Sequence, residues 1–230
     1  MKITNPFKKM NTFELCLWIF SLLSVTLSFI LSPQKDYLSL IASLIGVTAL
    51  IFVAKGMVIG QILTVVFAVF YGIISFFFSY YGEMITYLLM SAPIAILATI
   101  EWIKNPYKKT ETVAIKKLTA KDVMIMVILC AIVTVSFYFI LKAFNTANLI
   151  FSTISVTTSF FACYLTYLRS PFYALAYACN DIVLIVLWVL ATIESIAYLP
   201  MIVCFTAFLL NDLYGFFNWS KMQKTQSKNM

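Results

Sequence analysis

The stretch FYALAYACNDIVLIVLWVLATI, residues 172–193, decides the fold. It holds no Lys, Arg or Pro, and its one acid is Asp181. A hydrocarbon core is ~30 Å thick, so a helix that crosses it needs about 20 mostly apolar residues. A strand of this kind would leave backbone N–H and C=O groups unsatisfied in lipid. The stretch therefore reads as a bilayer-spanning helix.

Working outward, comparable runs lie at 12–31, 37–54, 58–79, 84–103, 122–143, 148–168 and 196–219. With 172–193 they make eight crossings. Of the 230 residues 63% are hydrophobic and 11% charged, against ~25% charged in a soluble domain. Lipid is the solvent that such a chain requires, and little length is left for a soluble catalytic module. The first run follows Lys2, Lys8 and Lys9 as a signal peptide would. It is too long for an h-region, and Leu31-Ser32-Pro33 is a poor cleavage site, so it is expected to be retained.

Basic residues set the orientation. One side of an eight-helix chain carries Lys2, Lys8, Lys9, Lys55, Lys104, Lys108, Lys109, Lys116, Lys117, Lys121, Arg169, Lys221, Lys224 and Lys228. The other carries only Lys35 and Lys142. The positive-inside rule then places both termini in the cytoplasm of a multi-pass cell-membrane protein. The net charge of +7 reads as topology and contact with anionic headgroups, and nucleic acid is not an expected partner.

The domain organisation follows. Residues 1–36 form an N-terminal segment and first helix, and 37–103 a first three-helix bundle. Residues 104–147 supply a basic loop and a linker helix, 148–219 a second bundle, and 220–230 a tail. The bundles start and end on the same sides. Each has a basic residue after its first helix (Lys55, Arg169), an acid before its third (Glu83, Glu194) and a second acid further on (Glu101, Asp212). Two parallel three-helix repeats joined by a helix is a transporter plan, with the site between the repeats.

An ionisable residue inside lipid is a functional candidate. Glu14 lies near a helix start, within reach of the interface, and Glu101 stands beside Lys104, where a surface pair is expected. Asp181 sits near the midplane, next to Asn180. Tyr173, Tyr177, Asn180, Leu184 and Trp188 follow at helical spacing and share one face, which Asp181 adjoins. Polar atoms between aromatic rings suit a flat polar ligand. The structural alternative is a set of interfacial aromatics with an amide bonded to a neighbouring helix. Asn211 and Tyr214 in the eighth run, Thr157 and Thr158 in the sixth, and Gln61 and Tyr71 in the third are further candidates. Ser91 beside Pro93 marks an expected bend.

Several chemistries are missing. There is no Gly-Lys-Ser/Thr phosphate loop for ATP. No histidine exists, and a single midplane acid makes a poor proton relay. No nucleophile–base pair emerges, so no catalytic residue is assigned and an enzyme is not expected. The five cysteines lack metal spacing and are expected to be buried and inert; neither metal nor cofactor is called for. What survives is a carrier that moves a small molecule down its gradient.

The arrangement resembles the PnuC family of vitamin transporters. The resemblance rests on Tyr80-Tyr81-Gly82-Glu83-Met84, on Asn180-Asp181, and on the run Asn211-Asp212-Leu213-Tyr214-Gly215-Phe216-Phe217-Asn218-Trp219. It spans roughly residues 37–222, including the helix count and the basic central loop. It implies a fold like that of the SWEET sugar carriers, two parallel three-helix bundles with a linker helix, here with an extra N-terminal helix. It also implies uptake of nicotinamide riboside and trapping by a cytoplasmic kinase, with thiamine as a substrate of relatives. Where the family is rich in tryptophan at the start of the seventh helix, this chain has Phe172, Tyr173 and Tyr177. Gln61 and Tyr71 stand where asparagine would be expected.

Nicotinamide riboside and thiamine both carry a fixed positive charge on an aromatic ring. Aromatic faces offer such a cation ~0.5–2 kcal/mol per contact, and Asp181 offers a counter-charge. A neutral deoxynucleoside would gain little from the acid. The competing readings are deoxynucleoside transport, a non-transporting membrane partner subunit, and an intramembrane enzyme. A homo-oligomer stays open.

Overall fold

A computed structural model describes residues 5–77 and 81–228. Lys2, the end of the third run and Tyr80 of the motif above lie outside the described residues. The described helices are α1 Thr12–Leu31, α2 Tyr37–Ala54, α3 Val58–Phe77, α4 Tyr81–Lys104, α5 Ala120–Ala143, α6 Leu149–Tyr167, α7 Phe172–Glu194 and α8 Leu199–Lys228. All eight are long and apolar enough to cross a membrane. The lysine-rich loop and the α2–α3 and α6–α7 turns share one face of the molecule, called here the basic face; the opposite end is the far face.

Local chemistry sets several boundaries. Asn11 and Glu14 form a reciprocal capping box at the start of α1, and Thr119 and Asp122 form another at α5. The Asp36 carboxylate accepts the Ser39 N–H to start α2. The two bundles end their first helices identically. Gly56 and Arg169 both adopt left-handed backbone, with φ of 66° and 57°. Gly56 N–H bonds Val53 O and Met57 N–H bonds Phe52 O; Arg169 N–H bonds Thr166 O and Ser170 N–H bonds Leu165 O. These paired 5→2 and 6→1 bonds satisfy the last carbonyls of α2 and α6. The internal repeat therefore aligns Gly56, one residue beyond the expected Lys55, with Arg169.

The helices α2, α3, α4, α6, α7 and α8 pack in that ring order, closed by α8 on α2. α1 lies against both α2 and α8. α5 lies on α6 and shares with α4 a cluster that includes Ile85, Met90, Phe137, Leu141 and Phe160. Leu23, Ile132 and Phe217 stand exposed on the outer surface, as side chains facing lipid tails should.

Three expectations change. The eighth run does not end at 219: α8 continues to Lys228. No Gly or Pro interrupts 216–228, and Gln226 anchors the extension, accepting Ile115 N–H at 2.8 Å and donating to Val113 O at 3.1 Å. Glu101 pairs with Arg169 at 3.4 Å instead of Lys104. Cys16 and Cys179 are exposed, while Cys130, Cys163 and Cys204 are buried.

Candidate functional site

α4 departs from regular α-helix where its sequence suggests. Pro93 has no N–H to continue the helical ladder, and the six residues Thr86–Ser91 ahead of it form a π-helix, with Ala92 N–H bonded to Tyr87 O. Such wide turns gather at functional sites. This one lies beside two cavities, and Tyr87 lines both.

An outer cavity of ≈350 Å³ lies among α3, α4, α6 and α7 toward the far face, bordered by Tyr81, Glu83, Asn145 and Trp188. A deeper chamber of ≈90 Å³ is bordered by Gln61, Phe67, Tyr177, Asn180, Asp181 and Asp212. The two share Tyr87, Ser159, Leu184 and Phe205 in their walls. Toward the basic face the path is closed by buried Trp102, Tyr173 and Trp219, packed with Val113 of the loop.

The chamber is rich in acceptors. Asn180 Oδ1 is ringed by the hydroxyls of Ser155 at 3.2 Å, Thr158 at 2.8 Å and Ser159 at 3.1 Å, each able to donate to it. Three partners on α6 hold the amide in one orientation. Asp181 lies side chain against side chain with Asp212 of α8. Asp181 Oδ2 and Gln61 Oε1 are buried with no hydrogen-bond partner in the protein. Buried acceptors left in this state are costly unless something donates to them. Tyr177 OH lies 3.2 Å from Cys163 Sγ. No Lys or Arg lines either cavity among the described residues.

The expected site residues divide. Gln61, Tyr177, Asn180 and Asp181 meet in the chamber, and Thr158 supports Asn180. Tyr71 and Trp188 line the outer cavity instead. Tyr173 belongs to the closed end, its ring 4.8 Å from that of Trp219. Thr157 faces α5 and bonds Thr134 at 2.9 Å. Asn211 donates to Ser21 of α1 at 3.0 Å, and Tyr214 donates to Glu14 at 2.6 Å. Both point at α1, and from α8 it is Asp212 that lines the chamber. Glu14 is buried and held by Lys55 as well.

Sequence reasoning missed Glu83, Tyr87 and the pairing of Asp181 with Asp212. Periodicity along one helix cannot pair residues on two, and a π turn rotates Tyr87 off the regular helical face. Asp181 is not the lone acid expected: two carboxyls meet in the chamber and a third stands above it.

A family described as "Nicotinamide mononucleotide transporter" matches residues 36–221. A protein of Neisseria mucosa named "Nicotinamide riboside transporter PnuC" is 26% identical over 216 residues, spanning 91% of this chain and 82% of its own length. One of the same name from Haemophilus influenzae is 26% identical over 199 residues, spanning 86% of this chain and 84% of its own. A solved structure described as "Crystal structure of the Vitamin B3 transporter PnuC" covers 94% of both chains with a TM-score of 0.76 at 24% identity. That likeness establishes the shared fold.

Proposed function

Since the chain belongs to the nicotinamide mononucleotide transporter family, we propose that it carries nicotinamide riboside across the cell membrane by facilitated movement. The riboside is preferred over its phosphate ester on one observation. The two cavities present Glu83, Asp181 and Asp212 and, among the described residues, no Lys or Arg. A pyridinium ring is attracted by such a lining; a phosphate would meet carboxyls with no cation to receive it. The relatives' printed names agree with the riboside.

In this reading Asp181, with Asp212, answers the ring's positive charge. Gln61 Oε1 accepts from an amide or ribose hydroxyl, and Asn180 fixes ligand orientation. Tyr177 and Phe67 supply ring faces. The lysine asymmetry puts the basic face in the cytoplasm, so ligand enters from the far face, and a cytoplasmic phosphorylation traps it. Thiamine shares the cationic ring and is the second candidate.

Thermal-shift titration of detergent-purified protein tests the assignment. A ligand that binds the folded state alone raises Tm as its concentration passes Kd. Nicotinamide riboside should give a saturable rise, nicotinamide mononucleotide and deoxythymidine none at equal concentration. A rise with the mononucleotide of the same size would overturn the charge argument.

A further inference from the structure

Glu83 is a buried-edge carboxyl that the central chamber does not use. It lines the outer cavity together with Tyr71, Tyr87 and Trp188. Its Oε2 accepts the Tyr71 hydroxyl at 3.0 Å, and the Tyr71 and Tyr87 rings are 4.7 Å apart. None of the ion pairs among the described residues involves it. The nearest end of the molecule, the far face, is also where basic residues are scarcest. So this carboxyl has no ion-pair partner among the described residues and stands at the mouth of a path whose other two acids lie deeper.

Size separates the two cavities. Pockets that hold a small organic ligand run from about 300 Å³ upward. The outer cavity, at ≈350 Å³, meets that measure; the chamber, at ≈90 Å³, does not. In this conformation a ring with a sugar attached fits beside Glu83 and not beside Asp181. Tyr87, set by the π turn, stands in the wall common to both.

We propose that Glu83, Tyr71, Tyr87 and Trp188 form a separate outer station that captures a cationic aromatic ligand before it passes Tyr87 into the chamber. The proposal rests on the reading of this chain as a carrier of such ligands. The carboxylate supplies charge, the rings supply cation–π contact, and Tyr71 holds the carboxylate toward the cavity. The station is a holding place on the way in, so it acts on capture and not on the choice of riboside over phosphate alone.

The test compares initial uptake of nicotinamide riboside with that of its reduced, uncharged 1,4-dihydro form in proteoliposomes. Glu83→Gln keeps size and the acceptor for Tyr71 and removes the charge. It should raise the KM for the cation about ten-fold, the scale of one charge contact in a partly dry site. The KM for the uncharged form should move less than two-fold. An equal change for both ligands would assign Glu83 a structural role through Tyr71 and overturn the station. An unchanged KM for the cation would overturn it as well. Tyr71→Phe, which leaves the charge in place, should change the KM for the cation by less than Glu83→Gln does; the reverse order contradicts the proposal. Failure of the unmodified protein to carry nicotinamide riboside would instead overturn the reading on which the station rests.

Discussion

Trp102 and Trp219 clasp opposite bundles with the same bond. Trp102 Nε1 donates to Thr166 O of α6 at 3.0 Å, and Trp219 Nε1 donates to Val53 O of α2 at 2.9 Å. Their ring centroids are 5.2 Å apart and both side chains are fully buried. Thr166 and Val53 hold corresponding places in the repeat, each bonded by the left-handed residue that ends its helix. The closed basic face is thus locked by a symmetric exchange between the halves.

Removing one donor should loosen that lock. Trp219→Phe leaves Val53 O short of the bond from the opposite bundle, at a cost of about 1–3 kcal/mol to the closed arrangement. Cys163, in the chamber wall, reports the opening when it is the sole cysteine. Its labelling by an impermeant maleimide from the basic side should be faster in Trp219→Phe and in Trp102→Phe. Equal labelling in all three proteins would show that the clasp does not hold the gate.

Asp181→Asn preserves shape and removes charge. Transport of a cationic ligand should fall at least ~10-fold, as expected when a counter-charge in a low-dielectric site is lost. Thermal stability should hold or rise, since a buried carboxyl no longer faces Asp212. Undiminished uptake would remove Asp181 from the site.

Asn180→Ala acts on the same chamber differently. It strands the hydroxyls of Ser155 and Ser159, while Thr158 keeps the Ile154 and Ser155 carbonyls. Both uptake and stability should suffer, the latter by roughly 1–3 kcal/mol. Thr158→Val, which removes one of three donors, should give a smaller loss of each in the same two assays.

Glu14→Ala isolates structure from transport. The Glu14 carboxylate binds Lys55, Tyr214 and the Asn11 N–H. Deleting it leaves the Lys55 charge in a largely buried place, at about 3–5 kcal/mol. Unfolding measurements should show the loss, and Glu14→Met with Lys55→Met together should recover much of it. A single-variant loss under ~1 kcal/mol would mean that the pair is effectively solvated.

The helices were legible because each is a self-contained signal. α1 and α2 match the runs read from hydropathy, and α7 differs by one residue. α8 was read short because its last turns are polar and owe their order to Gln226 gripping a loop over a hundred residues away. The stripe on α7 was legible by spacing, and it does run from the closed end at Tyr173 through Asn180 to Trp188. Which face of α8 meets it was not. Asn211 and Asp212 are neighbours in sequence and point to different helices, α1 and α7. Only the packing of α1 against α8 distinguishes them.

The carboxyl-lined path is expected to carry a cationic riboside and to exclude its phosphate. Proteoliposomes loaded with unlabelled nicotinamide riboside and given the labelled compound outside measure this directly as exchange. Exchange should be saturable, abolished by excess nicotinamide riboside and left intact by an equal concentration of nicotinamide mononucleotide. Exchange of labelled mononucleotide at a comparable rate, or no exchange of the riboside, would contradict it.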